Sequence, residues 1–155
     1  MSELEIRRLD ESDAGSLSDL LAADPPDYRR HFQPFGADPA DVTSAIAHSQ
    51  RDRYWGLFDA GHLAGVVMLR GLDAGFVAPA FGVYVAHDSS GKGLGTLALA
   101  FAQAWSRLNG YPELMLTVHP DNAQARAMYE RDGFAADGDR SELGHLIYRK
   151  RLAGE

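Results

Sequence analysis

Apolar residues along the chain fall into alternating runs, short continuous runs and helical stripes, and each pattern predicts a different element. Alternation near the N-terminus predicts a short, half-buried strand, and continuous runs bounded by turn residues predict strands deeper in a sheet. The predicted strands are Leu4 to Leu9, Tyr54 to Phe58, Leu63 to Arg70, Phe81 to Ala86, Leu114 to Val118, Phe134 to Ala136 and Leu143 to Leu152. Asp59-Ala60-Gly61-His62, between the second and third strands, predicts a hairpin turn.

Four other stretches carry apolar residues at helical spacing. The predicted helices run from Asp10–Asp13 to Asp24, from Ala40 to Gln50, from Leu94 to Leu108 and from Ala123 to Asp132. The first ends at Asp24-Pro25-Pro26 because proline has no N–H to donate. The expected inward stripe of the third helix is Leu94, Leu97, Ala98, Phe101, Trp105 and Leu108, and that of the fourth is Ala125, Met128 and Tyr129. Gly110 and Gly133 are expected to close these two helices.

The element order β-α-α-β-β-β-α-β-α-β-β predicts an α/β (α+β) fold on a mixed sheet. A length of 155 residues suits one domain, residues 1–155. The formal net charge of −7 weighs against nucleic-acid or anionic-membrane partners, and the absence of cysteine excludes disulfides and thiolate chemistry. No apolar leader or membrane-length segment is visible, so we expect a soluble, cytoplasmic protein.

The most unusual stretch is Val83 to Thr96, in which an apolar strand stops at four polar residues and alternating glycines precede a helix. Gly91, Gly93 and Gly95 in this position would aim backbone N–H groups and a helix N-terminus at a phosphate. Lys92 supplies a local positive charge, or is simply a solvated lysine of the loop.

Two nucleotide-binding patterns fit this glycine loop poorly. The phosphate loop of nucleotide triphosphatases fails because Ala86 stands where its first glycine belongs and Gly93 follows the lysine. The dinucleotide fingerprint fits Gly93, Gly95 and Ala98, but Glu113, the acid at the right spacing, begins the next strand instead of ending it. A Rossmann-type dinucleotide-binding domain therefore stays open only as a weaker alternative.

A third pattern, the acyl-coenzyme A loop Q/R-x-x-G-x-G/A, matches the glycines of Ser90-Gly91-Lys92-Gly93-Leu94-Gly95. A strand, Asn122, Tyr129 and Gly133-Phe134 follow in the order seen in GCN5-related N-acetyltransferases. Over about residues 80–152 the chain resembles this family. The resemblance implies splayed central strands with flanking helices, acetyl-CoA as co-substrate without a metal, a small-molecule or peptide amine as acceptor, and a homodimer as a common assembly. It also implies a coenzyme-binding core at about residues 80–136.

The resemblance implies roles for individual residues as well. The coenzyme pyrophosphate is expected on the loop, and the pantetheine arm on the strand before it and on Asn122. A backbone N–H of that strand, with Val83 as the candidate, would polarise the thioester carbonyl. Tyr129 would protonate or stabilise the leaving thiolate. Both residues also have explanations that need no ligand, Tyr129 as a core aromatic and Asn122 as the N-cap of its helix. The implied coenzyme-binding set is Val83, Tyr84, Val85, Ser90, Gly91, Lys92, Gly93, Leu94, Gly95, Thr96, Asn122 and Tyr129.

The chain departs from the family pattern at two positions. Ser90 replaces the usual glutamine or arginine, and Thr117 stands where some members carry a glutamate base. A threonine hydroxyl is too weak a base to deprotonate an ammonium group near neutral pH. We expect His119 to supply the base, with His87, Tyr84 or a water chain as alternatives, while His48 and His62 look like surface residues. A non-catalytic acyl-CoA sensor is the other alternative that these departures leave open.

The acceptor site is expected in two aromatic segments, within about residues 24–50 and 71–79. The stretch Asp27 to Pro39 could equally form an irregular cover over the core. The candidate acceptor residues are Tyr28, His31, Phe32, Phe35, Phe76 and Thr117.

Overall fold

The computed structural model describes residues 3–28 and 39–152, which form a seven-stranded sheet with helices on both faces. The strands are β1 (Leu4–Arg8), β2 (Arg53–Asp59), β3 (His62–Arg70), β4 (Ala80–Val85), β5 (Glu113–Val118), β6 (Ala135–Arg140) and β7 (Leu146–Arg151). The helices are α1 (Ala14–Ala23), α2 (Pro39–Ala47), α3 (Leu94–Leu108) and α4 (Ala123–Arg131). The predicted element order and the mixed α/β class are confirmed.

The sheet order is β1-β2-β3-β4-β5-β7-β6, and β4 and β5 are its parallel pair in the described chain. That pair is short, since it joins only Ala80 to Met115 and Phe81 to Leu116. Beyond Phe81 the two strands diverge, which confirms the predicted splay at the centre of the sheet. The other neighbouring strands are antiparallel, and this excludes the doubly wound parallel sheet of a dinucleotide-binding domain.

The β2–β3 hairpin closes where the sequence predicts it, with Asp59 opposite His62. Its two central residues, Ala60 and Gly61, both have positive φ, at 51° and 85°. This is the backbone of the tight turn whose twist matches that of the flanking strands.

Residues of β3 alternate between two buried clusters, one on each face of the sheet. Val66 and Met68 pack with α1 and α2, whereas Val67 and Leu69 pack with α3 and α4. A strand that is covered on both faces has no polar side, which explains the nearly continuous apolar runs in β2 and β3.

The predicted stripe of α3 was wrong at two positions. Leu97 is 37% exposed and Leu108 is 86% exposed. The buried residues are instead Ala98, Leu99, Ala102, Gln103 and Ser106. Small side chains let the helix backbone approach the sheet closely, so the bulky Phe101 and Trp105 flank the contact and are only partly buried.

The last hairpin also differs from its prediction. Strand β6 continues through Asp137-Gly138-Asp139 with a shift of register, where we expected a break. Strand β7 begins at Leu146 and not at Leu143, because residues 141–144 form a turn. The Ser141 N–H donates to the His145 carbonyl at 2.9 Å, and the Gly144 N–H donates to the Ser141 carbonyl at the same distance.

No helix in the described ranges combines the length and the apolar character that crossing a membrane requires.

Candidate active site

The divergence of β4 and β5 opens a cleft of about 690 Å³ at the centre of the sheet. Its walls are the two strands, the end of β3 and the start of α4. Nine of the site residues that the sequence predicts line it together: Tyr28, Phe76, Val83, Tyr84, Val85, Thr117, His119, Asn122 and Tyr129.

Strand β4 presents a free backbone edge to the cleft. The Ala86 N–H donates to the Ala64 carbonyl at 2.9 Å, so residue 86 faces β3. Successive backbone groups of a strand point to opposite edges. The N–H and C=O groups of Val83 and Val85 therefore point into the gap, whereas those of Tyr84 face β3.

An aromatic and acidic cluster holds the end of β4. The Tyr28 hydroxyl donates to the Val85 carbonyl at 2.8 Å, and its ring meets those of Tyr84 and His87 edge-on. The Tyr84 hydroxyl donates to the Asp24 carboxylate, which also accepts the His87 N–H at 3.1 Å. Burial raises the pKa of Tyr28, against the opposing effect of a hydrogen bond with the Ser90 side chain. The cluster ties the start of the glycine loop to the end of α1.

The glycine loop follows a single 3₁₀ turn, His87–Ser89, and leads directly into α3. Gly91 and Gly93 have φ values of 75° and 87°, a conformation that favours glycine. Gly93 is the N-cap of α3 and provides no side-chain cap, so the first N–H groups of the helix have no partner within it. A Cβ at either glycine would meet no atom within 4 Å, so open space lies beside the loop.

The loop residues 90–96 do not line the cleft itself. Ser90 is engaged locally, since its hydroxyl donates to the His87 carbonyl at 2.6 Å. Lys92 is exposed. The loop is thus a candidate anion site, built mainly from backbone groups, next to the end of β4.

Helix α4 brings Asn122 and Tyr129 to the cleft. The Asn122 side-chain oxygen accepts the Ala125 N–H at 3.3 Å as an N-cap, and its NH₂ group plays no part in that cap. Tyr129 is 7% exposed, with its ring against Phe81 and Phe134. Burial raises its pKa to about 12. Among the described residues no group hydrogen-bonds the Tyr129 hydroxyl, which remains available to a ligand.

Four polar residues of the cleft wall were missed by sequence reasoning: Asp52, Arg70, Gln124 and His145. They stand at or beside the ends of elements, where hydrophobic patterning carries no information. His145 lies beside His119, with ring centroids 5.4 Å apart. Partial burial lowers the pKa of His145, and the neighbouring His119 lowers it further.

The remaining predicted positions divide into two groups. Phe76 lies at the mouth, 46% exposed, and its ring fills the space that a Cβ on Gly71 would need. His31, Phe32 and Phe35 lie outside the described residues. In residues 3–28 and 39–152 no group of three or more His, Asp or Glu side chains is placed to hold a metal ion.

Comparisons with known proteins agree with this geometry. A family model described as the acetyltransferase (GNAT) family matches residues 16–134. The chain belongs to this family. No curated protein matches it.

Solved structures show the same fold at low sequence identity. A domain from Methanocaldococcus jannaschii is similar with a TM-score of 0.80 and 17% identity, over 97% of this chain and 99% of that one. The PaiA N-acetyltransferase of Thermoplasma acidophilum, solved with coenzyme A, has a TM-score of 0.74 and 19% identity over 96% and 99% of the two chains. An acetyltransferase from Salmonella typhimurium that modifies the N-terminal serine of ribosomal protein L7/L12 has a TM-score of 0.76 and 18% identity over 97% and 95%.

Proposed function

We propose that this protein transfers the acetyl group of acetyl-CoA to a primary amine of a small molecule or peptide, by direct attack in a ternary complex. The observation that carries the proposal is the edge of β4 that β5 leaves unpaired, where the N–H and C=O groups of Val83 and the N–H of Val85 face a central cleft. An amide-bearing arm such as pantetheine pairs naturally with such an edge. A structural neighbour, PaiA, was solved with coenzyme A.

The described residues suit the rest of the coenzyme. The positive φ values and open space at Gly91 and Gly93 leave room for a pyrophosphate against the N-terminus of α3. The free NH₂ group of Asn122 is placed to donate to a pantetheine carbonyl, while its oxygen caps α4. Lys92 is our candidate for a positively charged side chain near the pyrophosphate.

The reaction joins the amine nitrogen to the thioester carbonyl carbon and breaks the carbon–sulfur bond. The Val83 N–H, which β3 does not use, is our candidate donor to the carbonyl oxygen as negative charge develops there. Holding amine and thioester together in the cleft supplies the further advantage of proximity.

Tyr129 is our candidate for stabilising the leaving sulfur. A phenol of pKa about 12 stays protonated at neutral pH, and an ordinary thiol has a pKa of ~8.5. Complete proton transfer from this phenol to the thiolate is therefore unfavourable. A hydrogen bond from the Tyr129 hydroxyl to the sulfur as the carbon–sulfur bond breaks fits these values better.

The acceptor is expected on the side of the cleft lined by Tyr28, Asp52, Arg70 and Phe76. The carboxylate of Asp52 suits a cationic amine, and Arg70 suits a carboxylate or carbonyl elsewhere on the acceptor. Because a structural neighbour modifies a protein N-terminus, a peptide α-amine belongs among the acceptors to be tested.

A thiol-release assay tests the proposal. Acetyl-CoA is incubated with the protein and spermidine, glucosamine, L-lysine, kanamycin or a tetrapeptide with N-terminal serine, and free thiol is measured. We expect release above the protein-free rate with at least one amine. Binding of acetyl-CoA without release from any amine would favour the non-catalytic sensor, and absence of binding would refute the whole proposal.

A further inference from the structure

We propose that His145, and not His119, is the base that removes the proton from the acceptor ammonium. This inference rests on the proposed function and assigns a further catalytic residue to it. It starts from strand register. Val118 pairs with Leu146 across β5 and β7, so the next residues outward, His119 and His145, face each other at the cleft wall. Their rings are in edge contact, with centroids 5.4 Å apart.

The hydrogen bonding of His119 decides which of its nitrogens carries a proton. The backbone N–H of Asp121 donates to Nδ1 of His119 at 3.1 Å. A backbone N–H is always a donor, so this Nδ1 is the unprotonated nitrogen of the neutral ring, and the proton is on Nε2. Nε2 then has no lone pair that could accept a proton, and the lone pair of Nδ1 already accepts the Asp121 N–H. Neutral His119 therefore offers a proton donor at Nε2 and no uncommitted lone pair on its ring.

The ring nitrogens of His145 are not engaged in this way within the described residues. Its backbone is fixed, because its N–H donates to the Ser141 hydroxyl at 3.1 Å and its carbonyl accepts the Ser141 N–H at 2.9 Å. In the described part of the chain, its imidazole nitrogens have no hydrogen-bond partner. An imidazole on a fixed backbone, in edge contact with the His119 ring and with a free lone pair at the wall of the cleft, has the geometry of a general base.

The charges around His145 favour its neutral form. His119 faces it from the turn after β5, and the pKa of His145 is lowered first by burial and then by His119. Asp121 lies on the far side of His119, 3.9 Å from its Nδ1. Arg126 of α4 adds a positive charge behind the same turn, where it donates to the Pro120 carbonyl at 3.0 Å. Glu142, on the turn before β7, is exposed.

The proton balance is as follows. His145 takes one proton from the ammonium group and later releases it to solvent, which leaves a neutral amine. The amine nitrogen forms its bond to the acetyl carbon and loses a second proton, the carbon–sulfur bond breaks, and the sulfur finishes as a thiol with that second proton. Tyr129 donates a hydrogen bond to the sulfur throughout and ends unchanged.

Kinetics of three glutamine variants test this assignment, with acetyl-CoA and whichever panel amine gives the fastest thiol release. For H145Q we expect kcat to fall about 100-fold at pH 7, the order typical of a lost base, with the KM for acetyl-CoA within twofold. The acidic limb that histidine protonation sets should disappear, and only a rise toward the pKa of the free amine should remain, so the deficit should narrow as pH increases. For H119Q, which removes an imidazole that we do not assign as the base, we expect less than a fivefold loss and a retained limb. H62Q, on the exposed hairpin turn, is the control.

Two results would overturn the assignment: H145Q within threefold of the wild type, or loss of the acidic limb in H119Q alone. ¹⁵N NMR of the histidine rings in the acetyl-CoA complex gives a readout that needs no acceptor. It should show His119 with its proton on Nε2, and His145 titrating at lower pH than an ordinary histidine. A proton on Nδ1 of neutral His119 would also contradict the proposal. A wild-type protein that releases no thiol would instead refute the proposed function itself.

Discussion

Tyr129 combines a ring that is packed against Phe81 and Phe134 with a hydroxyl that faces the cleft. Tyr129→Phe removes only the hydroxyl, which makes no hydrogen bond to the described protein. We expect kcat to fall about 10- to 100-fold, as a lost hydrogen bond to a charged atom predicts, while the KM for acetyl-CoA and the melting temperature stay nearly constant. Tyr111→Phe, whose ring stacks on Trp105 away from the cleft, is the matched control. Unchanged kcat in Tyr129→Phe would leave the residue a packing role only.

The raised pKa of Tyr129 predicts how stability depends on pH. Its pKa is about 12 in the folded protein and ~10 in an unfolded chain. The folded state therefore favours the neutral phenol, and this contribution is complete below pH 10 and lost as pH rises toward 12. Between pH 9 and pH 11 the wild type should lose about 1 kcal/mol relative to Tyr129→Phe. Urea unfolding at the two pH values measures this difference, and equal losses in both proteins would contradict the raised pKa.

At the level of elements, two glycine substitutions distinguish the effect of backbone strain from the effect of lost ligand binding at the glycine loop. Gly93→Ala and Gly138→Ala both place a Cβ on a residue with positive φ, and neither Cβ meets an atom within 4 Å. Each should cost about 1 kcal/mol of stability. Only Gly93→Ala should raise the KM for acetyl-CoA, by at least tenfold, because its Cβ enters the space that we assign to the pyrophosphate. Equal KM values in the two variants would place the pyrophosphate elsewhere.

The β2–β3 turn holds Ala60 in a conformation that alanine disfavours, at φ 51° and exposed to solvent. Ala60→Asn gives the Asn-Gly pair that such turns prefer. We expect a gain of ~0.5–1 kcal/mol in the free energy of unfolding, measured by urea denaturation. A loss of stability would show that the turn does not hold this backbone in solution.

For the whole molecule, acetyl-CoA should stabilise the folded state through mass action. At 100 times its dissociation constant a ligand adds ~2.7 kcal/mol, or roughly 5–10 °C in melting temperature for a chain of this size. NAD(H) should have no effect, because the sheet is not of the dinucleotide-binding type. The reverse ranking in a thermal-shift assay would contradict our assignment of the glycine loop.

The features that could be read from the sequence are those that lie close together along the chain. The strand–loop–helix unit around Gly91 and Gly93 depends on neighbouring residues, so local patterning was enough to predict it. The family resemblance, which rests on short-range spacing, pointed to Asn122 and Tyr129. The stripe of α3 was mispredicted at Leu97 and Leu108, because the rotation of a helix about its axis is set by the surface it packs on. Small residues such as Ala98 and Ala102 let the backbone of α3 approach the sheet closely, and hydrophobicity alone does not indicate this.

The sequence by itself determined the element order, the mixed sheet, the glycine loop and the family resemblance, because these depend on local propensity, turn chemistry and short-range spacing. Only the tertiary structure decided which groups meet in the cleft. The two-pair contact between β4 and β5 leaves the backbone groups of Val83 without a partner strand. The register of β5 against β7 brings His145 opposite His119, 26 positions apart in the printed sequence. Register and splay arise from packing between distant segments, and no local pattern encodes them.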